Sequence, residues 1–173
     1  MDYNQIKNLI PNGITAIRLI LIPFFLWAYF SNLVLIATVI FIFSVVTDAI
    51  DGYLARKLGS TSLWGAYFDV TADFIFIFAV FGGFVINGVY PFWILIIILF
   101  MFLQFILSSK TKFLTYDPLG KYYGSFLFLV IFLTLITTDI FLDSILLLLV
   151  VVFTIISILS RFFFFLVRRN KYI

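Results

Sequence analysis

The 173-residue chain contains no cysteine, no histidine and no glutamate. Without thiols or imidazoles there can be no disulfide, no Cys/His zinc site, no cysteine nucleophile and no triad built on a histidine base. Without glutamate, any carboxylate chemistry falls to the eight acidic residues, all of them Asp. Charge is scarce too: 11% of residues are charged and 65% are hydrophobic, against about 25% and about 45–50% in an ordinary soluble domain. Eight acidic and 11 basic side chains cannot cover a water-facing surface of this size unless lipid covers the rest. A soluble globule is excluded, as are disordered, collagenous and coiled-coil chains. What is abundant is aromatic and aliphatic: 25 Phe, 9 Tyr and 3 Trp, with a mean hydropathy of +1.25.

Six apolar runs follow one another, at 13–30, 33–55, 66–87, 91–108, 121–138 and 144–167. They are separated by Ser31-Asn32, Lys57 to Ser62, Asn87 to Pro91, Ser108 to Gly120, and Thr137 to Asp139. At about 20 residues per span these predict an all-α integral membrane fold of six transmembrane helices in one domain, 1–173, with only short connections. Residues 1–12 are too short to span. Ile6, Leu9 and Ile10 share one helical face there, which predicts a short interfacial helix in this juxtamembrane segment, with a flexible tail as the alternative, before Pro11-Asn12 opens the first span. No small-x-small cleavage site follows the first span, so it reads as a retained helix, with Pro23 as its kink.

The basic residues orient the spans. Lys7 and Arg18 precede or open the first run, Arg56 and Lys57 close the second, Lys110, Lys112 and Lys121 lie between the fourth and fifth, and Arg161, Arg168, Arg169 and Lys171 are in or after the last. All fall on one side, and the opposite loops hold only Asp139 and Asp143. By the positive-inside rule both termini are expected in the cytoplasm. The modest net charge of +3 points to anionic lipid headgroups as neighbours, not nucleic acid.

The second and third runs meet in VVTDAIDGYLARKLGSTSLWGAYFDVTADF, which contains Asp48, Asp51, Asp69 and Asp73. The first pair is spaced i, i+3 and the second i, i+4, so each shares a helix face. If the two helices are neighbours, four carboxylates converge at the cytoplasmic boundary, where one intramembrane charge already costs about 2.5–3.5 kcal/mol. Something positive must sit among them. Oxygen donors without imidazole or thiolate select Mg²⁺, Mn²⁺ or Ca²⁺, and two divalent ions would balance four carboxylates in the manner of a two-metal phosphoryl-transfer site. Gly52 inside the helix implies close approach of a ligand or backbone. Arg56, one turn on, could place its guanidinium on a phosphate, or simply snorkel from a helix end.

Asp48, Asp51, Gly52, Ala55, Arg56, Gly65, Asp69 and Asp73 fill every fixed position of D-x2-D-G-x2-A-R-x8-G-x3-D-x3-D, the signature of the CDP-alcohol phosphotransferase (CDP-alcohol phosphatidyltransferase) family, which residues 48–73 therefore resemble. IPNGITAIRLILIPFF at 10–25 also looks like the opening of phosphatidylglycerophosphate synthases, so roughly the first 75 residues carry the likeness. Val70, Phe74 and the Gly120-Lys121-Tyr122-Tyr123-Gly124 stretch depart from that subfamily and bear on the acceptor alcohol, not on the reaction.

The resemblance implies transfer of a phosphatidyl-type group from a CDP-linked lipid, CDP-diacylglycerol or an archaeal equivalent, to a small polar alcohol such as glycerol 3-phosphate, with release of CMP. It implies Mg²⁺ (or Mn²⁺), two ions, held by Asp48, Asp51, Asp69 and Asp73, with Asp73 also the general base. Gly52, Arg56 and Gly65, with Ser62 and Asn12 as weaker members, would bind the CDP-lipid. For an acceptor that is itself a phosphate ester, Lys121, Arg161 and Lys110 are the candidate cations; anchoring or loop charge is the plainer reading of Arg161 and Lys110. Lys121 at a helix start is unfavourable for a cation unless an anion is bound. A homodimer in the cytoplasmic membrane is implied as well, and the Phe-rich third, fourth and last spans offer surface for it. Inositol phosphate or serine as acceptor would keep the same reaction. A small divalent-cation transporter is the reading from another class, but its carboxylates belong near the bilayer midplane and often on repeated, interrupted helices.

Overall fold

In the computed structural model the backbone is described for residues 3–58, 63–110, 120–137 and 139–169. Of these, 3–15, 49, 51–58, 63–66, 108–110, 120–121, 161 and 163–169 are described by backbone alone. Every regular element among the described residues is α-helical: α1 (Tyr3–Phe30), α2 (Val34–Leu58), α3 (Leu63–Ile86), α4 (Trp93–Lys110), α5 (Gly120–Ile136) and α6 (Ile140–Arg169). Each apolar run of the sequence is a helix, and apart from the start of α1 the ends lie within a few residues of those expected.

The first helix differs from expectation. Residues 3–12 are the opening turns of α1 and not a separate element, for the helix runs unbroken through Pro11 and again through Pro23. A proline removes one backbone hydrogen bond and crowds one carbonyl, and the long apolar run on its C-terminal side carries the helix past both. The end of α1 is a Schellman cap. Asn32 takes the left-handed conformation (φ 58°), the Leu33 N–H donates to the Ala28 carbonyl at 2.9 Å and the Asn32 N–H to that of Tyr29 at 3.1 Å. α3 is also followed by a left-handed residue, Gly88 at φ 75°, with Pro91 just beyond, and glycine avoids the steric penalty of positive φ there.

The chain divides into two compact units, Met1–Asn87 and Gly88–Ile173. In the first, α1 packs on both α2 and α3. The contact is aromatic: Phe25 of α1 lies 6.1 Å and Phe41 of α2 lies 6.2 Å from the Phe76 ring of α3, and all three rings are buried. Tyr29 meets Phe84 edge-on at 5.2 Å. A Cβ added to Gly83 would come within 3.1 Å of Leu26, so glycine sets how closely α3 approaches α1.

In the second unit α5 packs on α6. Phe126 stacks on Phe153 at 4.6 Å, and two buried hydroxyl pairs, Tyr90 with Thr134 at 2.6 Å and Tyr123 with Thr154 at 3.0 Å, satisfy groups that would be costly unpaired. Asp139 caps α6, its carboxylate accepting from the Phe141 N–H at 3.0 Å.

Two helices among the described residues, Tyr67–Ile86 and Ile140–Ser160, are long and apolar enough to cross a membrane. Ala16–Phe30, Val34–Asp48, Trp93–Leu107 and Tyr122–Ile136 are apolar but shorter. Large apolar side chains are exposed in both units, such as Trp27 and Leu35 in the first and Phe100 and Leu148 in the second.

Candidate metal centre

The floor of the site follows from helical spacing. Arg18 and Phe25 are seven residues apart on α1, Phe41 and Asp48 seven apart on α2, and Asp69, Asp73 and Phe76 are spaced i, i+4, i+7 on α3. Seven residues are close to two turns, so each ring of the aromatic cluster shares a helix face with an ionic side chain. Packing the three rings therefore brings the four ionic side chains together above them.

Asp48, Asp69 and Asp73 each offer a carboxylate oxygen, and these oxygens all lie within 4.8 Å of one another. Among them sits a cation of the protein itself. Nη2 of Arg18 donates to Oδ1 of Asp48 at 2.6 Å. Its Nη1 lies 3.5 Å from Oδ1 of Asp69 and pairs with Oδ1 of Asp73. The Arg18 side chain is 0% exposed, whereas those of Asp48, Asp69 and Asp73 are 37%, 38% and 26% exposed. The carboxylates are thus open on the side away from the guanidinium.

In these ion pairs of the described residues one positive charge faces three carboxylates, a formal deficit of two before Asp51 is counted. An all-oxygen donor set with that deficit suits a hard divalent cation. The residues present fit such an ion.

Three of the four expected ligands are brought together. The Asp51 side chain lies outside the described residues, and so do the side chains of Asn12, Arg56, Lys110, Lys121 and Arg161 and the surroundings of Gly52 and Gly65; Ser62 lies outside them altogether. The backbones of Asp51, Gly52 and Arg56 are in α2 and that of Gly65 is in α3, the helices that carry the aspartates. Lys110, Lys121 and Arg161 belong to the second unit. Arg18 was legible only as a basic residue opening the first span. The signal that could have singled it out is that it lies inside an apolar run, where an unpaired cation is as costly as the aspartates it meets.

The family model of CDP-alcohol phosphatidyltransferases matches residues 8–156. The chain belongs to that family. The family inferred from residues 48–73 is thus the one found. Among curated relatives, the CDP-diacylglycerol--glycerol-3-phosphate 3-phosphatidyltransferase of Wigglesworthia glossinidia brevipalpis is 39% identical over 107 residues, which cover 60% of this chain and 58% of the relative. The protein of the same name in Haemophilus influenzae is 38% identical over 106 residues, 60% of this chain and 57% of the relative. That of Yersinia pestis is 40% identical over 67 residues, 37% of each. The chain therefore spans little more than half the length of the first two relatives.

Proposed function

We propose that this family member is an integral membrane transferase of phospholipid biosynthesis that moves a phosphatidyl-type group from a CDP-linked lipid to glycerol 3-phosphate and releases CMP. The observation that carries the reading is the convergence of Asp48, Asp69 and Asp73 within 4.8 Å, at fixed positions of the family signature. The relatives named for this reaction support the donor and the acceptor. The apolar helices and their exposed apolar faces support six spans in the cytoplasmic membrane, and the one-sided distribution of Lys and Arg supports cytoplasmic termini and site. Assembly as a homodimer belongs to the same proposal.

In this reading Asp48, Asp51, Asp69 and Asp73 hold two divalent cations, Mg²⁺ or Mn²⁺. When bound, such ions neutralise the pyrophosphate, polarise the phosphorus under attack and stabilise the departing phosphate. Gly52 and Gly65 leave room for the nucleotide and pyrophosphate, Arg56 binds a phosphate oxygen through its planar fork, and Ser62 and Asn12 add polar contacts. Asp73 takes the proton of the acceptor hydroxyl as its oxygen bonds to the phosphatidyl phosphorus. The bond from that phosphorus to the bridging oxygen breaks, and the electron pair leaves with CMP. Arg161, Lys121 and Lys110 supply positive charge for the acceptor's own phosphate. The aromatic floor of Phe25, Phe41 and Phe76 keeps water from the inner side of the site and strengthens these charge interactions.

The test is CMP release by the purified protein with CDP-diacylglycerol and Mg²⁺ across glycerol 3-phosphate, inositol 1-phosphate, inositol and serine. Release with glycerol 3-phosphate alone, abolished by chelation and restored by Mg²⁺, is the expected result. Release with another acceptor would correct the acceptor and keep the reaction. Silence throughout, with no nucleotide binding, would return the carboxylates to cation transport.

A further inference from the structure

Arg18 has no place in the reaction as read from the signature, yet it is the most deeply buried charge among the described residues and the one on which the carboxylates close. Its two terminal nitrogens engage Oδ1 of Asp48, Asp69 and Asp73, and oxygens of the same three residues form the candidate metal-binding group. A divalent ion of the Mg²⁺ type needs carboxylate oxygens at about 2.0–2.1 Å, and each Oδ1 that the guanidinium engages is a donor withheld from the ion. The guanidinium is also incompletely satisfied, since its Nε has no hydrogen-bond partner among the described residues. Burial without full hydrogen bonding costs free energy, which makes this occupant displaceable.

Charge balance points the same way. Four carboxylates are neutralised by two divalent ions, and a guanidinium left among them would then be a surplus cation beside two others.

We propose that Arg18 is the resident counter-ion of the carboxylate cluster: it holds Asp48, Asp69 and Asp73 together in the metal-free protein and withdraws when a divalent cation enters. This rests on the metal reading of the site given above. Metal binding is then an exchange of cations, and Arg18 lowers the apparent metal affinity while protecting the empty site from the mutual repulsion of its aspartates. Because Arg18 is on α1 and the aspartates are on α2 and α3, the exchange couples metal occupancy to the seating of α1. Arg18 is a positioning residue in this scheme.

The experiment is a Mn²⁺ titration of the full chain in detergent micelles, stripped with EDTA and followed by the electron paramagnetic resonance of free Mn²⁺, for the wild type, Arg18→Gln and Arg18→Lys. Arg18→Gln should bind Mn²⁺ more tightly by about tenfold, equivalent to about 1.4 kcal/mol. It should also melt lower than the wild type in EDTA and gain more from added Mn²⁺. Arg18→Lys, with a point charge but no fork, should fall between the two. In the wild type, one of the five arginine Nε–H resonances, assigned by its loss in Arg18→Lys, should shift on addition of Mg²⁺. This measurement decides the question even if Arg18→Gln fails to fold. Mn²⁺ binding by the wild type with equal or weaker binding by Arg18→Gln would overturn the exchange and leave the metal site standing, as would an Nε–H resonance that Mg²⁺ does not move. Absence of Mn²⁺ binding in all three proteins would remove the metal reading and the exchange with it.

Discussion

Arg18 and Asp48 are 30 residues apart in the chain and meet in a 2.6 Å charge-assisted hydrogen bond that ties α1 to α2. Removing one partner of a fully buried pair costs about 3–5 kcal/mol because the other charge is left stranded. Here Asp48 is 37% exposed, so water screens part of the loss, and Asp69 and Asp73 remain beside the guanidinium. Asp48→Asn is therefore expected to destabilise the metal-free protein by about 1–2 kcal/mol, between the surface and the buried limits. Thermal unfolding in EDTA measures this. No change in melting temperature would show that the pair does not hold α1 against α2.

Asp73 combines two tasks in the proposed reaction, ligand and base. Asparagine keeps the shape and an oxygen donor but cannot accept the proton, so Asp73→Asn should lower CMP release by about 10²–10⁴-fold, the usual worth of a positioned base. Expression and metal binding should be largely retained. Wild-type turnover in this variant would remove the base assignment from Asp73, and a complete loss of metal binding would make its role that of a ligand alone.

The α1–α3 contact distinguishes two adjacent glycines. A methyl on Gly83 would meet Leu26 at 3.1 Å and Tyr29 at 3.5 Å, whereas one on Gly82 meets nothing within 4 Å. Gly82→Ala should be neutral or stabilising by up to about 1 kcal/mol, since alanine favours the helix. Gly83→Val should destabilise by about 1–3 kcal/mol through overpacking. Equal melting temperatures for the two variants would contradict the close approach of these helices.

The helices were legible because long apolar runs broken by short polar stretches leave little choice, and the left-handed residues Asn32 and Gly88 fall where the breaks were seen. The candidate metal-binding group was legible because i, i+4 spacing puts Asp69 and Asp73 on one face whatever the tertiary structure. Arg18 was not, since its partners come from two other helices and only three-helix packing brings them to it. A single arginine near the start of an apolar run has the same appearance whether it anchors at the surface or turns inward. Nor was the run of α1 through Pro11 visible, because Pro-Asn before an apolar stretch is an ordinary start signal. The outcome there depends on how well the helix tolerates one missing hydrogen bond.

In the second unit the Tyr123–Thr154 pair yields an asymmetric pair of mutants. The Thr154 hydroxyl donates to the Val150 carbonyl at 2.8 Å, and it has only one proton to give. The 3.0 Å contact with Tyr123 is therefore donated by the tyrosine. Tyr123→Phe removes a donor and leaves Thr154 bonded to its own helix, which should cost about 0.5–1.5 kcal/mol. Thr154→Val removes the acceptor and strands the buried tyrosine hydroxyl, which should cost about 1–3 kcal/mol. The double variant should then be more stable than the sum of the two losses implies, because the hydroxyl orphaned by Thr154→Val is no longer there. Denaturation of the four proteins of this cycle provides the check. A costlier Tyr123→Phe would reverse the direction of the hydrogen bond, and strict additivity would mean that the two side chains do not interact.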